Sequence, residues 1–409
     1  MITPPLTSNT PINRRMVAKT MNAARTKYTY KKFANATPLV TISIFAFCLV
    51  TIIADVFIFF RPLYNAIPMF IIVECWIKSK VEFNKYFILL LLLWAFWCSL
   101  ALITSGQFNS EFIFVIMSIA TVSIAFRTRQ SAIQILLAAQ VMALILLATT
   151  RGGFDINFAS QYSYRATQSD TESSIGLASA LIFLTAYSRK WPKTMAIAFI
   201  VTLLFGKRIA LVGIIVALTA DSAKYFLPLP IITRYRVVTI IAYCAIAAAI
   251  GVFASTFYTW IADYLNQYWR ANVSPNYLSS GRYSGISSFT NFMIPRNNII
   301  HTIIGHGTGF TDSMLSKAVS LRQSVTYKLL HDDWLRMLTD YGLIGTILMV
   351  IFLSVLAKKS RLGFLIAMYT ATIFTSDNAM TYTFYWITLA ICLNLSPREI
   401  NKLDNRKFL

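Results

Sequence analysis

The sequence predicts an all-α, polytopic membrane protein with about twelve transmembrane helices, and three observations carry that prediction. Hydrophobic residues make up 56% of the 409-residue chain and charged residues 13%, for a mean hydropathy of +0.60, a balance that ordinary water-soluble globules do not have. The apolar residues are gathered into long runs. The Lys and Arg residues are gathered between alternate runs.

The runs fall at 38–60, 62–77, 86–103, 112–126, 131–150, 174–188, 195–206, 209–223, 237–256, 338–357, 362–375 and 379–395. Most can cross a hydrocarbon layer about 30 Å thick at ~1.5 Å per residue, or come close to it. Only Gly206-Lys207-Arg208 divides the 195–223 pair, so eleven or thirteen spans also fit. Residues 1–37 are polar and basic and lack the short apolar core and cleavage site of a signal peptide, so the first span is expected to remain as an anchor. The five cysteines (Cys48, Cys75, Cys98, Cys244 and Cys392) all lie in apolar runs and read as small core residues.

Charge supports the count and sets an orientation. With both termini cytoplasmic, the inner segments hold 25 Lys and Arg residues and the outer segments twelve. Seven of those twelve lie in the long loop 257–336, where the positive-inside rule is not expected to apply, which leaves 25 against five. The net charge of +21 therefore reads as membrane orientation: the bilayer is the expected partner, and nucleic acid is not. The expected organisation is a basic cytoplasmic tail (1–37), spans one to nine (38–256), a large outer loop (257–336), spans ten to twelve (337–395) and a cytoplasmic tail (396–409).

Two outer loops, 151–173 and 257–336, exceed the ~12 to 15 residues of a simple connection. The second carries Phe257, Tyr258, Trp260, Tyr264, Tyr268 and Trp269 at near-helical spacing. That pattern predicts an amphipathic helix lying in the membrane interface rather than disorder. Asp55 and Glu74 fall within the first two spans, where an ionisable group is costly unless it is paired or faces a cavity. A helix-packing or cavity role is expected for them, although a transporter would use such groups for proton coupling.

The outer segments contain the candidate chemistry. Arg208 follows Lys207 in Phe205-Gly206-Lys207-Arg208, and Arg282 follows the turn-prone Ser279-Ser280-Gly281. A guanidinium binds phosphate oxygens through a planar fork, so two arginines facing one point would hold a diphosphate. The alternatives are a span-ending cation that snorkels to the headgroups for Arg208 and a solvated loop cation for Arg282. His331 opens His331-Asp332-Asp333-Trp334-Leu335-Arg336. A neutral imidazole can take a proton from an attacking sugar hydroxyl, with Asp332 or Asp333 to orient it. Acids there also suit the first turn of a helix starting near 333, and a metal-binding reading of the run lacks a second ligand cluster.

Here the chain resembles a known family. His331, Leu335, Leu338, Gly342 and Gly345 at the start of a late span, after a loop with Gly281-Arg282 and Gly305-His306-Gly307-x-Gly309, look like the O-antigen polymerase and O-antigen ligase superfamily of bacterial membrane glycosyltransferases. The resemblance implies a GT-C-like, metal-independent enzyme of the inner membrane that needs no cofactor. It would act at the periplasmic face on undecaprenyl-diphosphate-linked saccharides. The acceptor would be a glycan or a lipid, and a chain-length regulator is a candidate partner. It assigns Arg208 and Arg282 to the diphosphate and His331 to activating the acceptor, with Lys207, Arg165, Arg296, Asp332, Asp333 and Arg336 as further substrate-binding candidates. Many relatives have Asn where this chain has Asp332. The polymerase branch is associated with Arg-x10-Gly in each large outer loop, and Arg165 to Gly176 and Arg296 to Gly307 match that spacing. The expected function is a polymerase of lipid-linked oligosaccharide repeats. A ligase that moves the glycan to lipid A-core is the alternative, and a flippase of lipid-linked saccharides is a second one, disfavoured by the lack of internal repeats.

Overall fold

A helix that is apolar on every side has no face to turn to water, and such a helix belongs at the centre of a protein. Two lie at the centre here: residues 175–186 of Ile175–Arg189 (α3) and residues 362–373 of Arg361–Ile373 (α14) are buried without interruption. The structure, a computed structural model, describes residues 82–83, 85–105, 116, 119, 124–125, 130–150, 175–226, 228–270, 272–279, 282–293, 298–320 and 330–395. Asp55, Glu74, Arg165, Arg296, Cys48, Cys75 and the runs 38–60 and 62–77 lie outside the described residues.

The chain is mostly helical, in keeping with the all-α expectation. Its order is β1 (Glu82–Phe83), α1 (Lys85–Ser105), β2 (Ile124–Ala125), α2 (Gln130–Thr150), α3, α4 (Pro192–Leu204), α5 (Arg208–Ser222), α6 (Leu229–Val252) and α7 (Ala254–Trp269). Four short helices follow, α8 (Pro275–Leu278), α9 (Tyr283–Met293), α10 (Ile299–Ile304) and α11 (Phe310–Ser320). The last four are α12 (Asp333–Asp340), α13 (Gly342–Lys359), α14 and α15 (Thr383–Leu393). The two short strands pair antiparallel, Glu82 opposite Ala125. Around the central helices, α3 packs on α4 and α15, while α14 packs on α5, α13 and α6. Gly213 of α5 allows the α5–α14 contact, because a Cβ there would stand 2.6 Å from the Tyr369 ring. The Tyr369 hydroxyl donates to Leu177 O (2.9 Å) and ties α14 to α3.

Among the described residues, two helices are long and apolar enough to cross a membrane, Ile231–Val252 and Gly342–Lys359, and six shorter ones are apolar. Both long helices correct the expected boundaries. The 237–256 run begins earlier, within Leu229–Val252, and breaks at Phe253 before α7. The 338–357 run contains a break too: α12 ends at Asp340 and α13 starts at Gly342, whose φ of +66° turns the chain. A Cβ on Gly342 would lie 2.4 Å from Gly305 N, so the break is a point where two backbones meet with no room for side chains.

The expected amphipathic helix is present as α7. Phe257, Trp260, Tyr264 and Tyr268 form an exposed ladder on it, with successive ring centroids 6.4, 5.9 and 4.7 Å apart. Cys98, Cys244 and Cys392 are buried free thiols.

Candidate functional site

Three chain segments that are remote in sequence converge on Asp377. Asp377 stands in the turn between α14 and α15 and is fully buried. Its Oδ2 lies 3.2 Å from Lys207 Nζ. Its Oδ1 accepts from Asn378 N (2.9 Å) and the Tyr382 hydroxyl (3.0 Å), and His331 Nδ1 lies 3.7 Å from it. That last separation is electrostatic contact, longer than a hydrogen bond. Arg282 reaches the same turn, donating through Nη1 to Ser376 O.

Each segment delivers its side chain for a local reason. Gly206 has a φ of +67°, which turns the chain sharply between α4 and α5 and leaves Lys207 at the N-cap of α5. Arg282 precedes α9, where its carbonyl accepts from Ile286 N (3.1 Å). The helix behind it is held by Ser279 Oγ, which accepts from Tyr283 N (2.8 Å). His331 precedes the helix cap Asp332, which accepts from Leu335 N (2.9 Å). The start of α12 is stapled onto the Asp377 turn: Asp333 N donates to Phe374 O (2.8 Å) and Asp333 Oδ2 accepts from Met380 N (2.9 Å).

Electrostatics make Asp377 a fixed anion. Burial alone would push its carboxyl up, but the Lys207 ammonium, the His331 ring and the Arg282 guanidinium reverse this and hold it well below the usual carboxylate range. Asp332 behaves oppositely. It packs against Gly251, where a Cβ would come within 2.7 Å of its Oδ1, and burial pushes its carboxyl up to about 8. Two adjacent turns thus hold one carboxylate as an anion and one as a neutral acid near neutral pH.

His331 Nδ1 is sealed from solvent on the Asp377 side while the side chain as a whole remains 18% exposed. The other side-chain atoms supply that exposure. A partly exposed imidazole backed by a buried carboxylate can take up a proton, with the carboxylate stabilising the cation that forms.

The predicted residues divide into three groups. His331, Arg282 and Lys207 meet around one acid. Arg208 opens α5 with an exposed side chain, and it is Lys207 beside it that reaches Asp377. Asp332 caps α12 and Asp333 fastens it to the Asp377 turn, and Asp377 is the carboxylate that faces His331 Nδ1. Arg336 is completely buried and ion-paired with Asp312 of α11, apart from the group around Asp377. Buried charges need partners, and α12 is buried on nearly every side, so Arg336 finds its partner in Asp312. Of the paired arginine–glycine positions, only the glycines are described: Gly176 lies in α3 against Phe205, and Gly307 turns the chain with a φ of +102°.

Sequence reasoning missed Asp377, Ser376 and Tyr382. The available signal was Thr375-Ser376-Asp377-Asn378, a polar interruption between apolar runs that holds an acid. No family model matches the chain, and no curated protein matches it.

Proposed function

We propose that this chain is a membrane glycosyltransferase that polymerises undecaprenyl-diphosphate-linked oligosaccharide repeat units at the periplasmic face of a bacterial inner membrane. In this reading the chain crosses the membrane about twelve times with both termini cytoplasmic. The single observation that carries it is the convergence of Lys207, Arg282 and His331 on the buried carboxylate of Asp377. A buried anion held between cations beside a half-open imidazole is an arrangement for moving a proton, and structural support alone does not need the histidine.

The chemistry follows from those parts. The acceptor hydroxyl gives its proton to His331 Nε2 as its oxygen attacks the anomeric carbon of the donor. The bond from that carbon to the diphosphate breaks, and its electron pair leaves with the phosphate oxygen. Asp377 stabilises the imidazolium through Nδ1. One Arg282 donor goes to Ser376 O, and the remaining fork is available to the diphosphate. Arg208, exposed beside Lys207, is the second cation for the leaving group. Lys207 keeps Asp377 ionised. No step requires a metal.

The test uses the purified full chain in lipid vesicles with a synthetic undecaprenyl-diphosphate oligosaccharide, and products are separated by length on a gel. The expected result is a ladder of lengthened glycans together with release of undecaprenyl diphosphate, unchanged by EDTA. Transfer of the glycan only to lipid A-core would replace polymerisation with ligation. Failure to consume the donor under both conditions would overturn glycosyl transfer.

A further inference from the structure

The flank shared by α6 and α13 holds an apolar groove of about 570 Å³. Its lining runs along α13 from Leu343 to Lys358, about 22 Å at ~1.5 Å per residue. The groove is long, apolar and ends at a cation, a shape and charge that suit one extended hydrocarbon chain with its headgroup at Lys358.

We propose that this groove binds one acyl chain of an anionic glycerophospholipid, with the phosphate seated at Lys358. Ala248 of α6 and Ile347 and Ile351 of α13 wall it. Ile347 is 47% and Ile351 41% exposed, so the flank opens toward what surrounds the helices. Lys358 is exposed at one end, in the last turn of α13. Lys358 is the basic residue of the groove lining, while the neighbouring Arg361 is committed to Asp221 with contacts of 2.7 to 3.1 Å. At the other end the lining includes Leu338 of α12, the helix that follows His331. Lipid in the groove thus buttresses the helix next to the proposed site. The inference rests on α6 and α13 crossing the bilayer, and glycosyl transfer is not needed for it.

The experiment is native mass spectrometry of the delipidated full chain in detergent, titrated with phosphatidylglycerol or phosphatidylcholine. One phosphatidylglycerol should bind about fivefold more tightly than phosphatidylcholine, the scale of ~1 kcal/mol for one interfacial cation. Lys358→Gln should abolish that preference while lipid still binds. Ala248→Phe, which fills the groove, should weaken both lipids at least tenfold, and Ala245→Leu serves as a smaller filler if the Phe variant does not insert. Unchanged binding in the filled variants, or equal affinity for the two lipids in the native chain, would overturn the proposal. Both outcomes are read without glycan transfer, so an inactive enzyme that binds lipid would count only against the polymerase reading.

Discussion

Lys207 Nζ lies 3.2 Å from Asp377 Oδ2, with both side chains withdrawn from solvent and 170 residues between them in the chain. Such a pair gains from its Coulomb attraction and loses from desolvation, and removing one partner strands the other charge. Lys207→Met should therefore destabilise the protein by about 3–5 kcal/mol. Lys207→Met with Asp377→Asn should recover part of that loss. A double-mutant cycle on detergent unfolding checks it, and additive losses would mean the pair is not coupled.

His331→Ala should lower the rate of glycan lengthening about 10²- to 10⁴-fold, the range for losing a general base, while membrane levels stay normal. Asp377→Asn should lower kcat more than it raises KM, because the amide leaves the imidazolium unsupported. Rate–pH profiles of the two variants separate proton transfer from simple misfolding. Native-length product from the His331→Ala chain would remove this residue from the reaction.

Arg282→Lys should impair turnover nearly as much as Arg282→Ala. The ammonium keeps the charge but lacks the planar fork that can serve Ser376 O and a phosphate together. The donor KM is the quantity to measure. Native activity in the Lys variant would mean that charge alone suffices.

Asp332 predicts a pH dependence of opposite sign to that of the usual buried carboxylate. Its carboxyl ionises near 3.8 unfolded and is held up to about 8 by burial in the folded chain. A raised acid stabilises the fold fully below pH ~4, and that contribution is lost as pH rises toward about 8, at no more than ~1.4 kcal/mol per pH unit. Asp332→Asn keeps an equally good helix cap and should flatten this part of the curve. Thermal unfolding across pH 4 to 8 decides it, and a slope that persists in the Asn variant would assign the effect elsewhere.

Gly305 offers a packing test at the end of α12 away from His331. Its φ is +83°, and an added Cβ would lie 2.4 Å from Asp340 O. Gly305→Ala should cost on the order of 1–3 kcal/mol and loosen the loop, in which His306 N and Gly307 N bond Thr339 O and Asp340 O (2.8 and 3.0 Å). Amide exchange at those two positions reports it, and native protection would mean the contact can relax.

Among the described residues, the sequence by itself determined most of the long helices and singled out the polar segments that carry Lys207, Arg282 and His331, because both are local patterns. Helices such as 85–105, 130–150 and 175–189 lie within three residues of the expected apolar runs, since unbroken hydrophobicity is a property of neighbouring residues. The aromatic ladder of α7 was legible from spacing alone, and Arg282 and His331 stood out as polar residues of the long outer loop. What only the tertiary structure decided is who faces whom. Asp377 looks like a loop acid in its own stretch, and it becomes the centre of the site because α4, α5, α9 and α12 present Lys207, Arg282 and His331 to it. Arg336 reads as available until the fold pairs it with Asp312. Charge partnership depends on distances between segments 24 to 170 residues apart, and no local pattern encodes those distances.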